Sequence, residues 1–276
     1  MHMIRRDTQT LERYAAMERG KLLGFCAIFA GLLLLGLAGL AAYWFGAVDM
    51  PVRQPPASPA LSSYYSRRPA SGPVRGLIAW WKFDETEGSI AYDSAGGHHG
   101  TVHGAEHTKG MLDGALHFDG VDDYVSIPDS PAFSVTKFSL VLWAKYRDSS
   151  TIVELIHTYA DHWFGLYGRD EINGGKINFV MDDGTVARLR SRTPHDSDQW
   201  VHIVAVRDCP RAYLYVNGYL ENSMELDTCQ VIDGANLEIG GWSAGRQTVD
   251  GSIDDVRIYD RALSAEEVRQ LYQKAH

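Results

Sequence analysis

Two patterns of hydrophobic and polar positions divide the chain. Residues 22–48 carry no charged side chain, and from residue 76 onward short alternating runs are broken by turn residues. The first pattern makes a helix of roughly 40 Å, enough to cross about 30 Å of hydrocarbon with some tilt. A cleaved signal peptide has a shorter apolar core, roughly 7–15 residues. A retained transmembrane helix is therefore expected, with Tyr43, Trp44 and Phe45 at one headgroup level. The second pattern predicts strands at 77–83, 115–118, 123–127, 137–146, 151–157, 162–168, 176–181, 186–190, 199–206, 211–216, 219–225, 236–240 and 253–259. Strands this numerous and this close predict a sandwich or barrel. Phe138, Leu140, Leu142 and Ala144 share one face of their strand. Asn217-Gly218 predicts a type I′ hairpin turn, because both positions need φ > 0. Ser264 followed by Glu267 is a capping box that starts a helix running to about Gln273.

The resulting organisation is a cytoplasmic segment at 1–21, a transmembrane helix at 22–48, a linker at 49–75 and one extramembrane domain at 76–276. The linker holds Pro51, Pro55, Pro56, Pro59, Pro69 and Pro73, which favours an extended chain. It is either a disordered spacer or a segment ordered along a partner, with Tyr64 and Tyr65 as its anchors. Arg5, Arg6, Arg13, Arg19 and Lys21 precede the apolar run, against Arg53, Arg67 and Arg68 nearby after it. That bias places the N-terminus in the cytoplasm and the domain on the periplasmic or extracellular side of the inner membrane. Gly20, Gly24, Ala27, Gly31, Ala38 and Ala42 fall on one helical face, where small residues let a partner helix approach closely in lipid.

Charge and cysteine content narrow the function classes. The formal net charge is -9 and no basic stripe is visible, which argues against nucleic-acid binding. Three cysteines are too few for a disulfide scaffold. Cys209 and Cys229 flank the predicted hairpin and could close its open end in an oxidising compartment. The alternative is two unrelated buried thiols.

Several ordered motifs carry a resemblance. They are Gly76 to Gly88 with the opening strand, Tyr92 to Val102, Leu116 to Val125, Trp200 to Val206, Leu214 to Gly218, and Ile253 to Ser264. Together, over about 76–273, they resemble the laminin-G-like, concanavalin A-like jelly-roll family. The expected fold class is therefore an all-β jelly-roll sandwich preceded by a single transmembrane helix. This superfold hosts lectins, adhesion modules, enzymes and scaffolds. The resemblance also implies a structural Ca²⁺, for which Asp84, Asp93, Asp119, the Gly120 carbonyl and Asp255 are the matching oxygen donors. The opposing expectation is that these acids cap turns.

Other chemistry is thinner. His98, His99, His103 and His107 surround Glu106, but no fixed metal-binding helical spacing accompanies them. The run Glu225, Asp227, Gln230 resembles a glucanase acid cluster with its last acid replaced, so the carboxylate pair that hydrolysis needs is incomplete. No catalytic activity is expected. Trp143, Tyr213 and Tyr215 are candidate sugar-stacking aromatics, and Trp163 and Trp242 lie near loops. Two readings follow. The favoured one is a non-catalytic subunit of a membrane assembly of respiratory, photosynthetic or transport type, because a plain tether needs no small-residue face. The second is a membrane-tethered lectin-like or adhesion module that binds glycans.

Overall fold

A computed structural model describes residues 74–275, apart from 148–151, 159, 170–173, 196–197, 233–235 and 244–246. The chain divides into two compact units, Met1–Ala57 and Ser58–His276, and every described residue belongs to the second. Among the described residues no helix is long and apolar enough to cross a membrane. The expected transmembrane helix, its small-residue face at Gly20, Gly24, Ala27, Gly31, Ala38 and Ala42, and the linker tyrosines Tyr64 and Tyr65 lie outside the described residues.

The described unit is a two-layer antiparallel sandwich, as the alternation predicts. In chain order its strands are β1 (Leu77–Trp81), β2 (Ile90–Ala91), β3 (Gly100–His103), β4 (Glu106–Lys109), β5 (Gly114–Asp119) and β6 (Tyr124–Ile127). There follow β7 (Lys137–Tyr146), β8 (Val153–Thr158), β9 (Trp163–Arg169), β10 (Lys176–Asp182) and β11 (Val186–Pro194). The last are β12 (Val201–Asp208), β13 (Arg211–Val216), β14 (Tyr219–Glu225), β15 (Leu237–Ile239) and β16 (Asp250–Tyr259), and then helix α1 (Ala265–Gln273). The first sheet runs β14-β13-β12-β7-β16-β5-β4, with β1 also on β16. The second runs β11-β10-β9-β8-β15-β6-β3-β2. Leu116, Phe138, Leu142 and Ile203 from the first sheet meet Val125, Leu155, Phe179 and Leu237 from the second in one continuous core. Period-2 alternation sends these residues inward.

The hairpin between β13 and β14 forms at Asn217 (φ 50) and Gly218 (φ 80), and pairs Val216 with Tyr219. Cys209 and Cys229 are bridged across its open end, with Cα atoms 5.8 Å apart. β16 changes neighbours along its length. Its first residues pair with β5 and its last with β1, and the register shifts between Asp254 and Arg257.

Helix α1 covers the middle of the outer face of the first sheet. Its capping box is complete, with the Glu267 amide donating to Ser264 and the Ser264 amide donating back to Glu267. Val268 and Leu271 pack on Val141, Val204, Val206, Tyr215 and Tyr259. Each such burial is worth about 1.5–3 kcal/mol. The side-chain bond from Arg261, together with the Ser264 bonds, holds the Glu267 carboxyl down at about 2 against burial. A depressed carboxyl stabilises the fold above its unfolded value of 4.5, and that contribution is lost as pH falls through about 2. Glu267→Gln is expected to cost about 1 kcal/mol at neutral pH. In urea titrations its deficit against the parent should shrink below pH 4.5, the unfolded value, and vanish near the bottom of that window.

Candidate functional site

While α1 covers the middle of the first sheet's outer face, the outer face of the second carries polar side chains. The register there places one polar row across four strands. Glu238 of β15 pairs with Ser126 of β6 and with His157 of β8, and His157 pairs with Gly165 of β9. One step along, Glu154 pairs with Tyr167, Tyr167 with Asn178, and Asn178 with Arg190. Residues two apart on a strand share a face, and the register shifts between Glu154 and Ile156 bring Glu154 and His157 to the same one.

The centre of the row is an imidazole between two carboxylates. His157 Nδ1 lies 3.3 Å from Glu154 Oε1, and His157 Nε2 lies 3.1 Å from Glu238 Oε2. All three are buried, Glu154 at 0% and His157 at 1% relative exposure. Glu238 also accepts the Ser243 amide at 3.0 Å. Burial works against ionising Glu238, but the bonds from His157 and Ser243 prevail and hold its carboxyl below the usual range. Beside this row Gly165 has no side chain because it has no room for one. A Cβ there would stand 2.6 Å from the Tyr167 ring. The Arg190 Nε donates to Asn178 Oδ1 at 2.9 Å. Half-exposed Trp163 stands at the start of β9, and Trp242 adjoins Ser243. The result is a buried row of mutually bonded polar groups, with Trp163 and Trp242 partly exposed near it.

The sequence-predicted site residues fall elsewhere. Trp143, Tyr213 and Tyr215 lie on the first sheet, beneath the C-terminal helix. Trp143 stacks on Tyr272 with ring centroids 5.8 Å apart, and Tyr215 is part of the cluster under α1, with Tyr213 packed against it. They are helix-packing residues rather than a sugar platform. The five expected Ca²⁺ donors are not assembled into one ligand set. Asp93 is filled by backbone donors: the Trp80 and Ala95 amides reach Oδ1, and the Gly96 and His98 amides reach Oδ2, at 2.8–3.0 Å. Asp255 accepts the Trp80 indole at 2.7 Å and pairs with Arg257 at 2.9 Å. Asp84 accepts the Gly114 amide. Asp119 caps its own turn, where Gly120 has φ 79. Among the described residues the one close group of potential metal ligands is Asp119, Asp122 and Asp123. The five residues therefore do not fit a single ion.

The histidines are also spoken for. His98 bonds Asp93 and Ser130, His99 accepts the Asp93 amide, His103 stacks on Tyr124, and His107 reaches the Gly88 carbonyl. Glu225 of the incomplete acid cluster pairs with Arg211 on the exposed edge strand.

A laminin-G-type sequence family, described as the concanavalin A-like lectin/glucanases superfamily, matches residues 119–269. The chain belongs to that superfamily. Domain 4 of a GH43 extracellular arabinanase from Geobacillus stearothermophilus, solved with arabinotriose, is similar in structure. Its TM-score is 0.62 at 23% identity, and the match covers 71% of this chain and 98% of that one. The binding domain of Paraclostridial Mosquitocidal Protein 1 gives 0.61 at 16% identity, covering 72% of this chain and 52% of that one. The Trypanosoma rangeli sialidase, in complex with the inhibitor DANA, gives 0.57 at 19% identity, covering 74% and 33%. This chain thus spans about half of the second and a third of the third. No curated protein matches the chain.

Within this concanavalin A-like domain, the residues that sequence reasoning missed are Glu154, His157, Tyr167, Asn178 and Glu238. One signal for them was present. Glu154 and His157 interrupt an otherwise apolar run in β8, and a buried polar residue is more informative than an exposed apolar one.

Proposed function

We propose that the domain is a non-catalytic carbohydrate-binding module and that the outer face of its second sheet receives the glycan. The observation that carries this reading is the contrast between the two outer faces. One is covered at its middle by α1. The other holds a buried row of fixed polar groups, near which the Trp163 and Trp242 rings are partly exposed. Sugar sites combine such hydrogen-bonding groups with aromatic stacking surfaces. The arabinanase domain, solved with an arabinose oligosaccharide, and the toxin binding domain support a binding role over the assembly-subunit reading that the sequence favoured. The absence of a third acid after Glu225 and Asp227, and the engagement of Glu154 and Glu238 by His157, support a module without hydrolytic chemistry. In this reading residues 22–48 form the membrane tether, and their small-residue face docks a partner helix.

The test is oligosaccharide binding by the full-length protein, measured across a broad glycan panel. Trp163→Ala removes a half-exposed ring and is expected to weaken the best ligand about tenfold, the loss of one stacking contact. A panel with no bound glycan, or a Trp163→Ala variant that binds as well as its parent, defeats the proposal.

A further inference from the structure

We infer that Ser130 is an activated nucleophile that takes an acyl group from a carboxylic ester. This site is independent of the glycan reading above. Asp93 and His98 stand five residues apart in a Gly-rich turn. Ser130 precedes the single helical turn Pro131–Phe133. The fold brings the three side chains into one line of contacts. His98 Nδ1 lies 3.1 Å from Asp93 Oδ2, and His98 Nε2 lies 3.1 Å from Ser130 Oγ. A carboxylate only accepts, so Nδ1 carries the ring proton. In the neutral imidazole Nε2 is then the acceptor, and the Ser130 hydroxyl donates to it. An oriented base activates a serine through this same order of parts.

The imidazole is firmly placed. Asp93 Oδ2 accepts from the His98 backbone amide at 2.8 Å as well as from its ring. A Cβ on Gly96 would stand 2.5 Å from His98 Nδ1, so the turn is wound closely around the ring. Phe133 packs against the imidazole with ring centroids 4.8 Å apart. The Asp93 side chain is buried, the His98 side chain is 19% exposed, and Ser130 is half-buried. The relay therefore runs from the interior toward solvent, where a reactant arrives. The plain alternative is that Ser130 only caps its turn. Capping uses Oγ as an acceptor, here from the Ala132 amide at 3.3 Å. It asks nothing of the hydroxyl proton, and it needs no ring whose other nitrogen is fixed by a carboxylate.

In the transfer, Ser130 Oγ bonds to the acyl carbon while its proton passes to His98 Nε2. The bond from that carbon to the leaving alkoxide breaks, and the alkoxide departs as an alcohol with the same proton. His98 ends neutral and Ser130 ends as an ester. One group is transferred per protein molecule, in keeping with a module that has no hydrolytic turnover.

The test treats the full-length protein with p-nitrophenyl acetate and locates acetyl groups by peptide mass spectrometry. Ser130 is expected to be acetylated at least about a hundredfold faster than any other serine, the lower end of what a positioned base contributes. His98→Asn keeps an N–H for Asp93 and removes the base, so it should slow that reaction by about the same factor. A matching melting temperature shows that the fold persists in the variant. Should it melt lower, the comparison of Ser130 with the other serines of the parent still decides. Acetylation spread evenly over the serines, an unmodified Ser130, or a folded His98→Asn variant that reacts as fast as its parent overturns the assignment.

Discussion

Replacing Asp183 with alanine is expected to destabilise the domain by about 3–5 kcal/mol, the usual consequence of stranding one partner of a buried ion pair. Arg207 lies in register with Phe138 and on the side of β12 that carries Ile203 and Ala205, so it points between the sheets. It is fully buried and pairs with Asp183, just past the end of β10 on the opposite sheet. Burial pulls the Arg207 guanidinium below its usual range, and Asp183 offsets only part of that. Asp183 also accepts the Thr228 hydroxyl and, at 3.1 Å, the Gln230 amide. One carboxylate therefore joins the β10–β11 hairpin, the first sheet and the segment beside the disulfide. A hollow of about 50 Å³ lined partly by Met181, Met224 and Leu226 lies next to it. Water entering there would move the cost toward the lower bound. Urea denaturation of Asp183→Ala, Arg207→Met and the double variant checks the argument. The double variant should be more stable than Asp183→Ala, because it no longer buries an unpaired charge. Loss below 1 kcal/mol in Asp183→Ala would refute it.

Asp93→Ala is expected to cost about 3 kcal/mol, from leaving several backbone donors without their acceptor. The buried Trp80 amide loses Oδ1, and the turn through Ala95, Gly96 and His98 loses the group around which it is wound. Burial alone would raise the Asp93 carboxyl. The bonds from Ala95, Trp80 and His98 outweigh it and hold the group below its ordinary value. This stability is present at neutral pH and is lost as acid protonates the group in the folded state. A calcium ligand would behave differently. If Asp93 serves the backbone, the loss in Asp93→Ala is the same with Ca²⁺ or with a chelator. A parent protein that chelation destabilises by a similar amount would contradict this account.

The fold was legible in the chain wherever alternation was long. β7, β13 and β14 occupy the expected residues, because each has five or more positions that must choose a face. The Asn217-Gly218 turn and the Ser264 capping box were legible because each rests on local chemistry. β2, β3 and β4 were not. They are two to four residues long and partly exposed, so nothing in their composition separates them from a loop. The site was harder to read for a different reason. Glu238 meets His157 only because β15 pairs with β8, and no spacing within either strand announces that neighbour. The aromatic residues misled in the opposite direction. Alternation shows that Trp143 and Tyr215 share a face, but what covers that face is decided by α1, some fifty or more residues later in the chain.

β16 lies between β7 and β5 and carries β1 on its far end. It is also the last strand to be made. Until Asp250–Tyr259 has left the ribosome, β5 and β7 have no common neighbour and β1 has no partner in its sheet. The second sheet then has only the β14-β13-β12-β7 part of the first to pack against. Such non-local closure is slow because the entropy of ordering the chain must be met before its contacts form. The first sheet is thus completed only when the domain's synthesis is nearly finished, and a fragment that stops short of β16 lacks the strand that joins its two halves.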